Sequence, residues 1–287
     1  MDPIRRVGIV VKRNQPRALE LARDLHGWLE RRGAEGLLDA EAAGRAGLDG
    51  GVPAQELPGR VDLLLVLGGD GTLIYVAGLI GDEAVPILGA NLGGLGFLTV
   101  LSLDEIESAL ERALEGELEI EERTRLVAEL HRDGEVILSG DILNDVVINR
   151  GPLARIVGLE TWIDGKRVAV FRADGLIVAT PTGSTAYNLA AGGPIIEPEL
   201  KAMVLNPICP HSLTARPLVL LDSSVVELFV QEDAEELYLT LDGQRGETLQ
   251  AGDSIRIARS PRPIRLVRSP NRTDYEILKA KLHWGER

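Results

Sequence analysis

Five residues, Gly68-Gly69-Asp70-Gly71-Thr72, follow directly on the apolar run Leu63–Leu67. A helix is expected from about Leu73. That puts the turn at the carboxyl end of a parallel strand, where open α/β sheets bind ligands. Glycines permit positive φ and let the backbone approach a phosphate with no Cβ in the way. Free N–H groups at the helix start then face the anion, so Gly68, Gly69 and Gly71 are candidate phosphate contacts. Asp70 is the odd ingredient, because a carboxylate repels phosphate. It fits better as acceptor of a hydroxyl proton, as ligand of a divalent cation, or as both. The same residues also suit an ordinary strand-to-helix turn. No Walker A loop and no full Gly-x-Gly-x-x-Gly dinucleotide pattern occurs in the chain.

Three more segments carry chemistry. Asn91-Leu92-Gly93-Gly94-Leu95-Gly96-Phe97-Leu98 is a second glycine-rich turn after the strand-like Val85–Ala90; its glycines serve either a ligand or tight packing. Asn144-Asp145 sets two short polar side chains among apolar neighbours, where they need partners: a ligand's hydroxyls, or a local Asx turn. In Asp174–Tyr187, a strand over Leu176–Ala179 breaks at Pro181 into the hydroxyl-rich Thr182-Gly183-Ser184-Thr185, and a short helix is expected over Ala186–Ala191. These hydroxyls and N–H groups either bind phosphate or ribose at a helix start, or simply cap it.

Weaker candidates remain. Cys209, the single cysteine, excludes an intramolecular disulfide and a cysteine-cluster metal site, and reads as a small buried hydrophobe. The four histidines include no i, i+4 pair of the zinc-binding kind. His211 reads as a loop hydrogen-bonder. Asp242-Gly243-Gln244 is either a ligand contact through Gln244 or a plain hairpin tip.

The elements that must position these residues change character along the chain. Val7–Val11, a helix over Pro16–Arg32 with Leu21, Leu25, Trp28 and Leu29 on one face, Leu63–Leu67, Val85–Ala90 and a capped helix after Ser102 alternate strand with helix. Such alternation implies a parallel sheet. From about residue 122, short strand-like runs separated by Asp133-Gly134, Asp164-Gly165, Asp242-Gly243 and Gly252-Asp253 imply an antiparallel β domain. Asp274–Leu282 returns to helix.

At 287 residues with 45% hydrophobic side chains, the chain has ample core for two domains. The net charge of −13 argues against general nucleic-acid coating, which needs a basic field. Apolar runs are strand-length, well short of a membrane span, and the apolar stretch near the N-terminus is too short for a secretory signal, so the cytoplasm is the expected compartment. Charge is uneven: residues 254–287 hold nine Lys or Arg against three Asp or Glu. That tail either offsets the acidic remainder or attracts a phosphate-rich ligand.

Taken together, the four segments resemble the NAD kinase family. Gly68–Thr72 is similar to its GGDGT motif, Asn91–Leu98 to NxGxxGFL, Asn144-Asp145 to the NE/ND pair, and Asp174–Tyr187 to DG(L/I)…TPTGSTAY. Pro207–Pro217 and Tyr275–Arg287 also read like bacterial members. The resemblance runs from Val7 to the end. It implies an N-terminal Rossmann-like α/β domain (1–121 plus 266–287) and an all-β C-terminal domain (122–265), with the last segment packed back on the first domain. It further implies phosphorylation of the adenosine 2′-hydroxyl of NAD by ATP or inorganic polyphosphate, with Mg²⁺ or another divalent cation, in a homodimer or homotetramer. By resemblance, Asp70 lies near the 2′-hydroxyl and metal, and Gly71 by the pyrophosphate. Asn144, Asp145, Thr185 and Ala186 bind adenosine, Tyr187 packs by the dinucleotide, Thr182 belongs to the same signature, and Asp174 and the Cys209 loop lie toward the nicotinamide. Asp145 departs from the family's more frequent Glu, and a shorter carboxylate reaches the same hydroxyl only from closer backbone or through water. A lipid kinase sharing the glycine-aspartate turn and a non-catalytic dinucleotide sensor are the alternatives.

Overall fold

The computed structural model describes residues 2–151, 157–231 and 236–285. The chain divides into two units, Met1–Glu122 with Ile264–Arg287, and Arg123–Pro263.

The first unit is built on a six-stranded sheet. In chain order its elements are β1 (Arg6–Val11), α1 (Pro16–Arg31), β2 (Glu35–Leu38), α2 (Ala40–Ala46), β3 (Leu63–Gly68), α3 (Asp70–Leu79), β4 (Ile87–Asn91), α4 (Ile106–Glu115) and β5 (Ile120–Arg123). The chain returns at its end with β18 (Ile264–Val267) and α6 (Asp274–Leu282). Strand order is β2-β1-β3-β4-β18-β5, so β18 is a sheet member between β4 and β5. Every residue of β3 is buried, which is why Leu63–Leu67 is apolar without alternation. Helix α1 lays Ala18, Ala22, Leu25, Trp28 and Leu29 into the core. The Ser102–Glu105 capping box precedes α4, with a single 3₁₀ turn between them. Helix α3 starts at Asp70, three residues earlier than the sequence suggests: Gly69 is the extended N-cap, and its carbonyl accepts Thr72 and Leu73 N–H at 2.9 and 3.2 Å. Asp70 is therefore the first helical residue.

The second unit holds β6 (Leu126–Arg132), β7 (Glu135–Ile142), β8 (Asp145–Arg150), β9 (Val157–Ile163), β10 (Lys166–Ala173), β11 (Gly175–Ala179), α5 (Tyr187–Ala190), β12 (Ala202–Ile208), β13 (Leu218–Leu221), β14 (Val226–Val230), β15 (Leu237–Leu241), β16 (Arg245–Leu249) and β17 (Ser254–Arg259). They form two antiparallel sheets, β10-β9-β14-β17-β6-β7 and β13-β12-β11-β8-β15-β16. One core joins them, with Leu126, Leu130, Leu228 and Ile257 from the first and Ile148, Val178, Leu205 and Leu239 from the second. Three Asp-Gly pairs make the tight turns with both φ values positive: Asp133 (51°) and Gly134 (84°), Asp164 (50°) and Gly165 (70°), Asp242 (52°) and Gly243 (66°). On the other face of the second sheet, Val147, Ile177, Ala179 and Ile208 form a small cluster with Ala191. Thus β11 is buried on both faces, and the hydroxyl-rich segment leaves from its end.

Candidate functional site

In the first unit, the two glycine turns are bound together by Asp70. Its Oδ2 accepts the Phe97 N–H at 2.8 Å, while Oδ1 accepts the N–H groups of Leu98 and Thr99 at 3.1 and 3.0 Å. The Thr99 hydroxyl makes the fourth bond to the carboxylate, again at Oδ1, at 2.9 Å. Asn91 extends the chain: its Nδ2 donates to Thr99 Oγ1 at 2.9 Å, and its Oδ1 accepts Gly93 N–H at 2.9 Å. With four acceptor sites on a carboxylate, Oδ1 is saturated and Oδ2 keeps room for one more proton donor.

The glycines act through space rather than through φ. Gly68, Gly69, Gly71 and Gly96 all lie outside the positive-φ set, contrary to the expectation for a phosphate-cradling turn. Gly96 has to be glycine because a Cβ there would overlap Asp70 Oδ1 and Thr99 Oγ1. Around Gly69 and Gly71 a Cβ would meet nothing, so both are open to an approaching ligand.

A pocket of about 430 Å³ opens beside this turn, lined in part by Val11, Lys12, Gly69, Gly71, Thr72 and Tyr75. It lies at the carboxyl ends of β1 and β3, and the order β2-β1-β3-β4 makes that pair the topological switch point of the sheet. Lys12 is exposed and makes no ion pair among the described residues.

In the second unit, the Asn144-Asp145 turn between β7 and β8 is the counterpart. Asn144 is half-buried, and its side-chain amide makes no hydrogen bond among the described residues, whereas its backbone N–H donates to Asp242 Oδ1 at 2.7 Å. Asp145 is 5% exposed and accepts the Tyr187 N–H. Burial first, and the like charge of Asp242 second, push its carboxyl up to about 7. The hydroxyl-rich segment packs directly on this turn. Thr180 Oγ1 donates to the Leu143 carbonyl at 2.5 Å and accepts Gly183 N–H at 2.9 Å, and a Cβ on Gly183 would overlap the Asn144 carbonyl.

Most of the hydroxyls are committed to the fold. Ser184 Oγ donates to Pro181 O at 2.6 Å and accepts Ile196 N–H at 2.9 Å, and Thr185 Oγ1 donates to Thr182 O at 3.1 Å. Of these three hydroxyls, that of Thr182 makes no hydrogen bond among the described residues. Tyr187 is 43% exposed beside Ala186.

The remaining candidates separate. Asp174 is held by Arg150, Nε to Oδ1 at 2.8 Å. Cys209 is exposed, with φ 45°, so the reading of a buried hydrophobe is wrong: a strand end followed by proline leaves it on the loop surface. His211 donates its backbone N–H to Arg172 O at 2.9 Å. Gln244 is exposed and donates its backbone N–H to Leu241 O at 3.0 Å, in the hairpin tip.

The basic tail resolves in favour of charge offset. Arg259, Arg262, Arg265, Arg268 and Arg272 pair with Asp222, Asp141, Glu122, Glu121 and Glu105, at 3.1, 3.0, 3.4, 2.9 and 2.8 Å. These five guanidiniums are spent on the chain's own carboxylates. The last two residues of the tail, 286 and 287, lie outside the described residues. Lys281 instead reaches the Phe97 ring, 5.6 Å from its centroid. Thr99 and Asp242 are the residues the sequence hides. Thr99 sits one position beyond the glycine-rich segment, a lone hydroxyl between Leu98 and Val100, and its full burial demands a partner.

No group of three or more His, Cys, Asp or Glu side chains able to hold a metal occurs among the described residues. Asp70 is the carboxylate at the turn.

The first unit thus carries a Gly-Gly-Asp-Gly turn at its switch point, and the second is an antiparallel double sheet. Residues 52–118 match the ATP-NAD kinase N-terminal domain, and residues 143–269 the ATP-NAD kinase C-terminal domain. NAD kinases of Geotalea daltonii and Geobacter sulfurreducens are 48% and 47% identical over 99% of this chain and all of their own length. Yeast NADH kinase complexed with NADH superposes with a TM-score of 0.91 at 28% identity, covering 100% of this chain and 90% of that one. An NAD kinase from Archaeoglobus fulgidus in complex with ATP gives 0.75 at 26%, covering 97% and 98%. The chain belongs to the NAD kinase family.

Proposed function

We propose that the chain transfers the terminal phosphate of ATP to the 2′-hydroxyl of the adenosine ribose of NAD, giving NADP. One observation carries the reading: Asp70, in the family's GGDGT position, is fixed by four donors with one acceptor site of Oδ2 left over. A hydroxyl proton is a suitable donor for that site.

Phosphoryl transfer asks the protein for positioning and charge neutralisation more than for covalent chemistry. Asp70 aligns the 2′-hydroxyl and takes its proton as the oxygen attacks. Gly69 and Gly71, open on their exposed sides, let phosphate approach the start of α3. Lys12 brings an ammonium to the edge of the same pocket, and it replaces the tail arginines as the neutralising charge. Asn144 and ionised Asp145 hold the adenosine hydroxyls and base edge, with Thr182, Thr185, Ala186 and Tyr187 around them. Asp174, Cys209 and Gln244 belong by family position toward the nicotinamide end. When bound, magnesium would neutralise charge on the donor phosphates, which would themselves hold it.

Inorganic polyphosphate as a second donor, a homodimeric or homotetrameric assembly and a cytoplasmic location are part of the proposal. No helix of the described residues is long and apolar enough to cross a membrane. Neither the lipid-kinase nor the sensor alternative finds support among the relatives. A donor-and-acceptor matrix tests the reading: ATP, GTP and polyphosphate against NAD and NADH, with product detection. Formation of NADP from NAD and ATP is expected; turnover of a lipid extract, or tight NAD binding with no NADP, would overturn it.

A further inference from the structure

Side chains at hairpin tips normally face solvent, but Asp242 turns inward. Its Oδ2 accepts Leu143 N–H at 2.8 Å, and its Oδ1 accepts Asn144 and Asp145 N–H at 2.7 and 3.0 Å. In return the Asp242 N–H donates to the Asp145 carbonyl at 2.9 Å. Pairing of β15 with β8, Leu241 opposite Val146, delivers the tip to this end of the sheet. The positive φ at Asp242 completes the reversal. Three consecutive amides converging on one point make an anion-binding concavity, and here the chain fills it with its own carboxylate.

We propose that Asp242 is a positioning residue for the acceptor dinucleotide: by collecting the amides of Leu143, Asn144 and Asp145, it fixes the turn whose two side chains bind adenosine. This rests on the assignment of Asn144 and Asp145 to NAD. It follows that the amides of the turn are unavailable to the dinucleotide's phosphates, and recognition there falls to the side chains alone. Asp242 also sets the charge state of its neighbour. The groups facing Asp145 are the Asp242 carboxylate from the β15–β16 turn and the Tyr187 N–H from α5. Arg125, 1% exposed and 3.9 Å from Asp141, faces Asp242 from the start of β6.

The test is Asp242→Asn, which suits positive φ but replaces one acceptor with a donor. Loss of a charge-assisted bond predicts a KM for NAD raised about 10- to 100-fold. The value of kcat at saturating NAD and the KM for ATP should stay within about threefold. In addition, the acid limb of the kcat/KM profile for NAD moves to lower pH, because Asp145 ionises more easily without a negative neighbour. A turn that had merely loosened would lose NAD affinity equally at every pH. An unchanged KM for NAD, or an unmoved acid limb, overturns the proposal.

Should the variant fail to fold, hydrogen exchange on the wild-type enzyme decides. The Leu143, Asn144 and Asp145 amides are expected to exchange far more slowly than that of exposed Gly243, and equal rates refute the clasp. Asn144→Ala and Asp145→Ala separate the two levels. If NADP still forms with KM for NAD unchanged in both, the underlying NAD assignment fails, whatever Asp242 does.

Discussion

Thr99 is bonded twice to Asp70: its N–H and its hydroxyl both donate to Oδ1, at 3.0 and 2.9 Å. The second glycine turn is thus a bracket that aims the residue proposed to meet the 2′-hydroxyl. Thr99→Val keeps the shape and the N–H but removes the hydroxyl. Its kcat is expected to fall about 10-fold, the loss of one charge-assisted bond. Gly96→Ala should cost more, because its Cβ competes with Asp70 Oδ1 for the same space. Steady-state NADP formation by the two variants, each verified as folded by circular dichroism, checks the order.

Asp145 gives a pH prediction of definite sign. Its carboxyl lies at about 7 in the folded chain against an ordinary 3.8, so the folded state binds the proton more tightly than the unfolded state does. The charged form therefore costs stability, and the cost grows as pH rises from about 4 to 7. Asp145→Asn should stabilise the unliganded protein above pH 7 by on the order of 1–3 kcal/mol, with the difference vanishing near pH 4. NAD binding needs the carboxylate, so wild-type KM for NAD should fall as pH rises through about 7. Denaturant melts and KM measured across pH 4–8.5 test both statements.

Glu105 carries the opposite sign. Burial pushes its carboxyl up, but hydrogen bonds from Arg272, Ser102 and Asn271 outweigh that and hold it down to about 2, from an ordinary 4.5. The stability this contributes is complete above about pH 4.5 and is lost as pH falls toward 2. Glu105→Gln should lower unfolding free energy by roughly 1–3 kcal/mol at pH 7, with the two proteins converging near pH 2. Urea titrations at pH 7, 4 and 2.5 check it.

How much of this the sequence discloses depends on the range of the interaction. β3 is legible because five consecutive apolar residues need cover on both faces, and the Asp-Gly turns because both central residues must take positive φ. The turn at Asp70 is legible as a site but not as a bracket. Local propensity starts α3 near Leu73, while the bonds from residues 97–99 bring its first turn back to Asp70. The basic tail is ambiguous in one dimension, since pairs such as Arg268 with Glu121 join residues far apart along the chain. Asp242 is hidden for a different reason: Asp-Gly is what a type I′ turn requires, so the turn explains the residue without its second task.

The central claim is that Asp70 aligns and deprotonates the 2′-hydroxyl. Asp70→Asn tests it most directly, with NADP formation measured beside NAD binding by calorimetry. General-base help is worth roughly 10²–10⁴-fold, so turnover should fall by at least that order while NAD still binds. Normal turnover by the Asn variant would contradict the account and leave Asp70 as only the residue that ties two glycine turns together.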